Sequence, residues 1–222
     1  GLTYKGTFLN SDKIIYDYKV RAIGSNISLD RFYSNIEPVL VIKDLIDISD
    51  PNKEDKTIFV WPEGILPDIY QKELVEYKWL FENRFNENHL LIIGTNSEVS
   101  KEANTNYYNS LSIYDQNLNL LYDYNKVNLV PFGEFLPFEK ILKNIGLKVI
   151  TNNYHSFSRG NQREIIEIKR EGFSLKILPL ICYEIIYSGK LFKNQNFDLI
   201  INISEDGWFG KSIGPNQHFA HS

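Results

Sequence analysis

The chain has 222 residues, 43% of them hydrophobic, enough for one sizeable core or two small ones. Its net charge of −4 argues against a basic nucleic-acid footprint and against attraction to anionic lipid by charge alone. A single cysteine excludes an intrachain disulfide framework and the usual zinc clusters, and no apolar run approaches the length of a membrane span. With glycine at position 1 and no visible signal peptide, the chain reads as a soluble globular piece, an excerpt or a processed product.

Residues 1–18 read as a lead-in to one domain over 19–222. Short β-branched apolar runs then predict buried strands at Lys19–Ile23, Thr57–Trp61, His89–Thr95, Leu175–Cys182 and Phe197–Ile203. Asp50–Lys56 is a solvated loop by composition. Between the second and third strands, Tyr70, Leu74, Tyr77, Phe81 and Phe85 recur at helical spacing. Asp68 is placed to cap that helix, with Gln71 in a capping-box position. Tyr107–Asn125 fits a hairpin whose turn is Asp115–Asn119. Pro137 and Gly146 bracket a second helix, from Phe138 to about Ile145. Strands alternating with helices, plus a hairpin, predict an α/β layered fold with buried sheets.

Three of these runs end in a reactive group. IFVWPE ends at Glu63, LLYDYNK at Lys126 and LKILPLIC at Cys182. Any one of them could be a solvated strand end or, for the cysteine, a small buried hydrophobe. Together they are complementary, because ligand crevices in α/β sheets lie beyond the carboxyl ends of strands. A cation lowers the pKa of a thiol and a carboxylate takes its proton. Lys126 would also stabilise the oxygen of a tetrahedral intermediate, and Glu63 would act as base and then acid. The chemistry is acyl transfer through a thioester.

WPEGILP, YNKVNLVPFGEFLPF and ICYEIIY resemble the glutamate, lysine and cysteine motifs of the nitrilase (carbon–nitrogen hydrolase) superfamily, in that chain order and 63 and 56 residues apart. KVNLVPFGEFLPF, SFSRGNQ and NISEDGWFGKSIGPNQHFAHS are similar, more narrowly, to the apolipoprotein N-acyltransferase family. The resemblance implies a four-layer α-β-β-α sandwich, here without its C-terminal part, that works without a metal or other cofactor. It further implies that Cys182 takes an acyl chain from a phospholipid donor and passes it to the N-terminal amine of a diacylglyceryl-cysteine apolipoprotein. The setting it implies is the outer face of the bacterial inner membrane, with flanking membrane helices.

By the same resemblance Glu134 is an additional active-site glutamate, while Glu184 either lies by the thiol or forms a salt bridge at a helix start. The backbone N–H of Tyr183 is placed to serve the oxyanion. Phe135, Trp208 and Phe209 would meet the lipid, although by periodicity alone the apolar stretch around Phe138–Ile145 reads as an ordinary helix packed on the core rather than as an interfacial one. Leu29 and Tyr33 depart from the family pattern, which often has Gln and Trp there. His218 and His221 lack a third ligand, so no metal is expected. Two rivals stay open: a soluble nitrilase-type amidase with the same triad and water as acceptor, and an inactive binding scaffold.

Overall fold

The computed structural model describes residues 17–24, 37–66, 69–101, 104–131, 134, 156–170, 173–187 and 196–205. The readings that involve Asp68, Leu29, Tyr33, Phe138–Ile145, His218 and His221 lie outside them.

Two sheets stack face to face. The first has five strands in the order β1 (Lys19–Ala22), β2 (Thr57–Trp61), β3 (His89–Lys101), β4 (Asn104–Tyr114) and β5 (Leu120–Asn125). β1, β2 and β3 run parallel, and β3, β4 and β5 form an antiparallel meander. The second sheet holds β6 (Ile166–Arg170), β7 (Phe173–Ile181) and β8 (Leu199–Ile203); β7 lies antiparallel to β6 and parallel to β8. β6 reaches only to Ile177, so Pro179, which has no N–H to donate, falls beyond that pairing.

Strand alternation sends side chains to two cores. Ile58, Leu90, Ile92, Leu111, Ile113 and Tyr124 meet Ile168, Leu175, Ile177 and Ile203 between the sheets. Phe59, Trp61, Leu91 and Ile93 point the other way, against helix α1 (Pro38–Ser49) and the Leu74–Phe81 region. Each fully buried side chain of this size contributes about 1.5–3 kcal/mol. Helix α1 starts with proline in its first turn, ends on Asp50 in the left-handed region (φ 42°), and is tied to β2 by Trp61 Nε1 donating to Ser49 Oγ at 3.0 Å.

The strands predicted from the sequence are present, with β3 running six residues past its predicted end. The Asp115–Asn119 turn forms as expected, with Asp115 Oδ1 accepting N–H bonds from Asn117 (2.8 Å) and Asn119 (2.9 Å). The Tyr70–Phe85 segment needs correction. It is a 3₁₀ helix over Gln71–Tyr77 followed by the single α-turn α2 (Lys78–Phe81). Its start is closed by Glu73, whose Oε2 accepts the Tyr70 N–H at 2.8 Å; Gln71 instead donates to Ser112 Oγ and Asp123 Oδ1.

At the N-terminal end of β3, His89 is fully buried against the rings of Phe59 and Phe85. Its Nε2–H donates to Asn52 O at 3.0 Å, and its Nδ1 accepts the Asn86 N–H at 3.1 Å, which fixes the neutral tautomer. Burial pushes the imidazole pKa below its ordinary value of 6.5. The unfolded chain takes up this proton at the ordinary value and the folded chain resists it. His89 therefore contributes its full stability above that pH and loses it as pH falls below. Between about pH 7.5 and 5.5, the melting temperature should fall less in His89→Gln than in the unsubstituted chain; equal falls would exclude His89 as a source of acid sensitivity.

Candidate active site

Glu63, Lys126 and Cys182 come to the same end of the sandwich because each follows the carboxyl end of its strand. Lys126 directly follows β5, Cys182 directly follows β7, and Glu63 lies two residues past β2. Pro62 stops β2, and Gly64 turns the chain with φ 58°. Gly94 on β3 lets that turn lie close: a Cβ there would sit 2.3 Å from Pro62 O and 2.6 Å from Glu63 Cα. Gly160 plays the same part beside Lys126, where a Cβ would fall 2.1 Å from Asn125 O.

The centre of the site is a buried ammonium. Lys126 Nζ lies 3.2 Å from Glu63 Oε1 and 2.9 Å from Glu134 Oε1, with the lysine side chain 1% exposed. Burial alone would lower the lysine pKa, but the charges of Glu63 and Glu134 reverse this and hold it above the ordinary value. Glu134 Oε2 accepts the Val130 N–H at 2.8 Å, and Glu63 Oε2 accepts the Glu205 N–H at 3.4 Å. Asn109 Nδ2 donates to Oε1 of both glutamates, at 2.6 and 2.9 Å. The SFSRG segment straps the cluster through Phe157 N–H to Glu134 O (2.8 Å), Gly160 N–H to Lys126 O (2.9 Å) and Arg159 Nε to Val127 O (2.7 Å).

Cys182 is buried and takes φ 54°, a left-handed conformation that side chains other than glycine's rarely adopt. It opens the 3₁₀ turn Cys182–Tyr187. Burial pushes the thiol pKa up and Glu63 pushes it further; Lys126 and a hydrogen bond with Ser204 pull it down. The net direction is upward. One ammonium, already shared by two carboxylates, does not offset burial, so the resting group is a neutral thiol beside a carboxylate. The expected lowering by the cation is thus present but outweighed.

Glu184 is held by many partners. Fully buried, it accepts the Tyr124 hydroxyl (3.0 and 2.9 Å), the N–H groups of Val127 (3.0 Å) and Asn128 (2.9 Å), and the Ile181 N–H (3.0 Å). Arg163 Nη2 approaches its Oε1 at 2.7 Å as an ion pair, and Arg163 Nε donates to the Tyr124 hydroxyl at 3.1 Å. One carboxylate thereby ties the Cys182–Tyr187 turn to the chain just past Lys126. Tyr183 is half-buried and packs on the inter-sheet core. Phe135, Trp208 and Phe209 lie outside the described residues.

Asn109, Arg163, Tyr124 and Gly94 were not singled out from the sequence. Asn109 carried a signal, since it shares the core-facing parity of Leu111 and Ile113 yet is polar. Among the described residues no group of His, Cys, Asp and Glu could hold a metal ion, and no helix is long and apolar enough to cross a membrane.

Comparison with known proteins matches residues 53–222 to the carbon–nitrogen hydrolase family model. An apolipoprotein N-acyltransferase of Bradyrhizobium diazoefficiens is 29% identical over 95% of this chain and 40% of its own length. One from Rickettsia typhi is 36% identical over 75% of this chain and 32% of its own length. The chain therefore spans two fifths or less of these curated relatives. A carbon–nitrogen hydrolase structure from Helicobacter pylori superposes with a TM-score of 0.50 at 12% identity, covering 92% of this chain and 66% of that one, a likeness of fold alone.

If Glu184 is an anchor, its loss should appear as stability. Glu184→Leu strands the Arg163 cation and should cost about 3–5 kcal/mol in denaturant unfolding. Glu184→Gln keeps one acceptor oxygen and should cost about 1–3 kcal/mol. An unchanged unfolding midpoint in both would refute the anchoring role.

Proposed function

Since this chain belongs to the carbon–nitrogen hydrolase family, we propose that it carries the catalytic centre of an apolipoprotein N-acyltransferase. The observation that carries the reading is the meeting of Glu63, Lys126 and the Cys182 environment at three strand ends, in a chain 29% and 36% identical to enzymes of that name.

The first half-reaction begins with a phospholipid ester carbonyl beside Cys182. Sγ attacks the carbonyl carbon while Glu63 takes the thiol proton, which avoids forming a free thiolate in a site that disfavours one. Negative charge gathers on the carbonyl oxygen, where the Lys126 ammonium and the Tyr183 N–H would stabilise it. The C–O bond breaks, Glu63 returns its proton to the departing lysophospholipid oxygen, and a thioester remains on Cys182.

In the second half-reaction the α-amine of a diacylglyceryl-cysteine attacks the thioester carbon. Glu63 takes a proton from the nitrogen, the C–S bond breaks, and the proton returns to sulfur. An amide is made and the neutral thiol is restored. Glu134 shares Lys126 with Glu63 and so fixes the direction of the ammonium. By the resemblance, this reaction takes place at the outer face of the bacterial inner membrane.

Incubating the intact protein with a phospholipid labelled in its acyl chain should give a hydroxylamine-sensitive adduct on Cys182. Cys182→Ala should give none, and Glu63→Gln should slow its formation by about 10²–10⁴-fold. Turnover of small amides without any lipid adduct would identify an amidase instead, and a Cys182 inert to both would mark a binding scaffold.

A further inference from the structure

Asn109 occupies β4 on the face turned to the second sheet, in line with Leu111 and Ile113. A buried amide there must be hydrogen-bonded or it costs stability. Its backbone C=O accepts the Lys126 N–H at 2.9 Å, and its Nδ2 reaches Oε1 of Glu63 at 2.6 Å and of Glu134 at 2.9 Å. Lys126 Nζ reaches the same two oxygens at 3.2 and 2.9 Å. Two nitrogens and two oxygens thus close a square in which each oxygen accepts from both nitrogens.

The charges in that square do not cancel. Two carboxylates share one ammonium, in a place with little water to spread the excess negative charge. The neighbouring groups supply little relief. The Cys182 thiol faces the cluster from the end of β7, and Val130 and Glu205 each offer one N–H. Glu184, on the turn that follows Cys182, is engaged by Arg163, Tyr124 and three backbone N–H groups. Asn109 is a neutral donor, so it binds both carboxylates without adding a second cation that would compete for them. Lys126 spends two of its three protons on the carboxylates, which leaves the third for a developing oxyanion.

We propose that Asn109 is the positioning residue of this centre, holding Glu63 and Glu134 together beside Lys126 with Glu63 aimed as the base. The inference rests on the triad reading above but not on the identity of the acyl acceptor. An aspartate at 109 has the same shape and cannot donate unless protonated. It would place a third carboxyl around one ammonium, and the cluster would take up a proton at higher pH.

The test is single-turnover acylation of Cys182 in the intact protein by p-nitrophenyl butyrate, read by protein mass from about pH 5 to 9. In Asn109→Asp the acidic limb of the rate profile should move up by about one pH unit or more. Asn109→Leu removes the donor without adding charge and should slow acylation by about 10²-fold at an unchanged half-saturating ester concentration. If Asn109→Leu does not fold, the isosteric aspartate decides. An unshifted acidic limb in Asn109→Asp, with only a lower melting temperature, reduces the residue to packing and overturns the proposal. Unsubstituted protein that the ester fails to acylate overturns the triad and this inference together. Acylation by the ester but not by phospholipid overturns only the lipid reading.

Discussion

The structure turns on an ammonium group that has almost no water. An isolated lysine at the depth of Lys126 would shed its proton, because a charge in a low-dielectric interior is costly. Two carboxylates keep it charged, Glu63 from 63 residues earlier in the chain and Glu134 from eight residues further on. Glu63 arrives on a turn that needs Gly94 beneath it, and Glu134 is held by Val130 and by the strap at Phe157. Loss of either arrival leaves the cation with one carboxylate in place of two, so the local folding of these segments is coupled through one charge.

A second buried charge lies beside the chain that follows Lys126. Glu184 gathers N–H groups from the end of β7 and from the chain just past Lys126, with Arg163 as counterion. The two clusters share no side chain. One sets the electrostatics that the thiol feels, and the other sets where the Cys182 turn lies relative to the lysine. The backbone at Cys182 is strained, and such strain persists only where the surroundings over-determine it.

How legible this was in the sequence varied with how each segment is buried. Thr57–Trp61 was found residue for residue, because its apolar side chains are covered on both faces. Helix α1 is hard to read in the sequence: its PVLVIKDLIDIS run is rich in β-branched residues and shows its stripe only through Val41, Ile42, Leu45 and Ile46. Strand β6 is equally hard to read, because Glu167 and Lys169 alternate with its two isoleucines and give a half-exposed edge the composition of a loop. Glu63, Lys126 and Cys182 were legible as polar groups that end apolar runs. Arg163 was not, since nothing local distinguishes a counterion for a glutamate 21 residues further along. Gly94 was equally silent, because a glycine within a strand does not say which backbone approaches it.

The neutral resting state of the Cys182 thiol has a consequence for durability. Peroxides and disulfides attack thiolates, and protonated sulfur reacts with them slowly. Burial and the Glu63 charge, by holding the proton on this sulfur, therefore slow its oxidation, while the Lys126 charge and the Ser204 hydrogen bond work the other way.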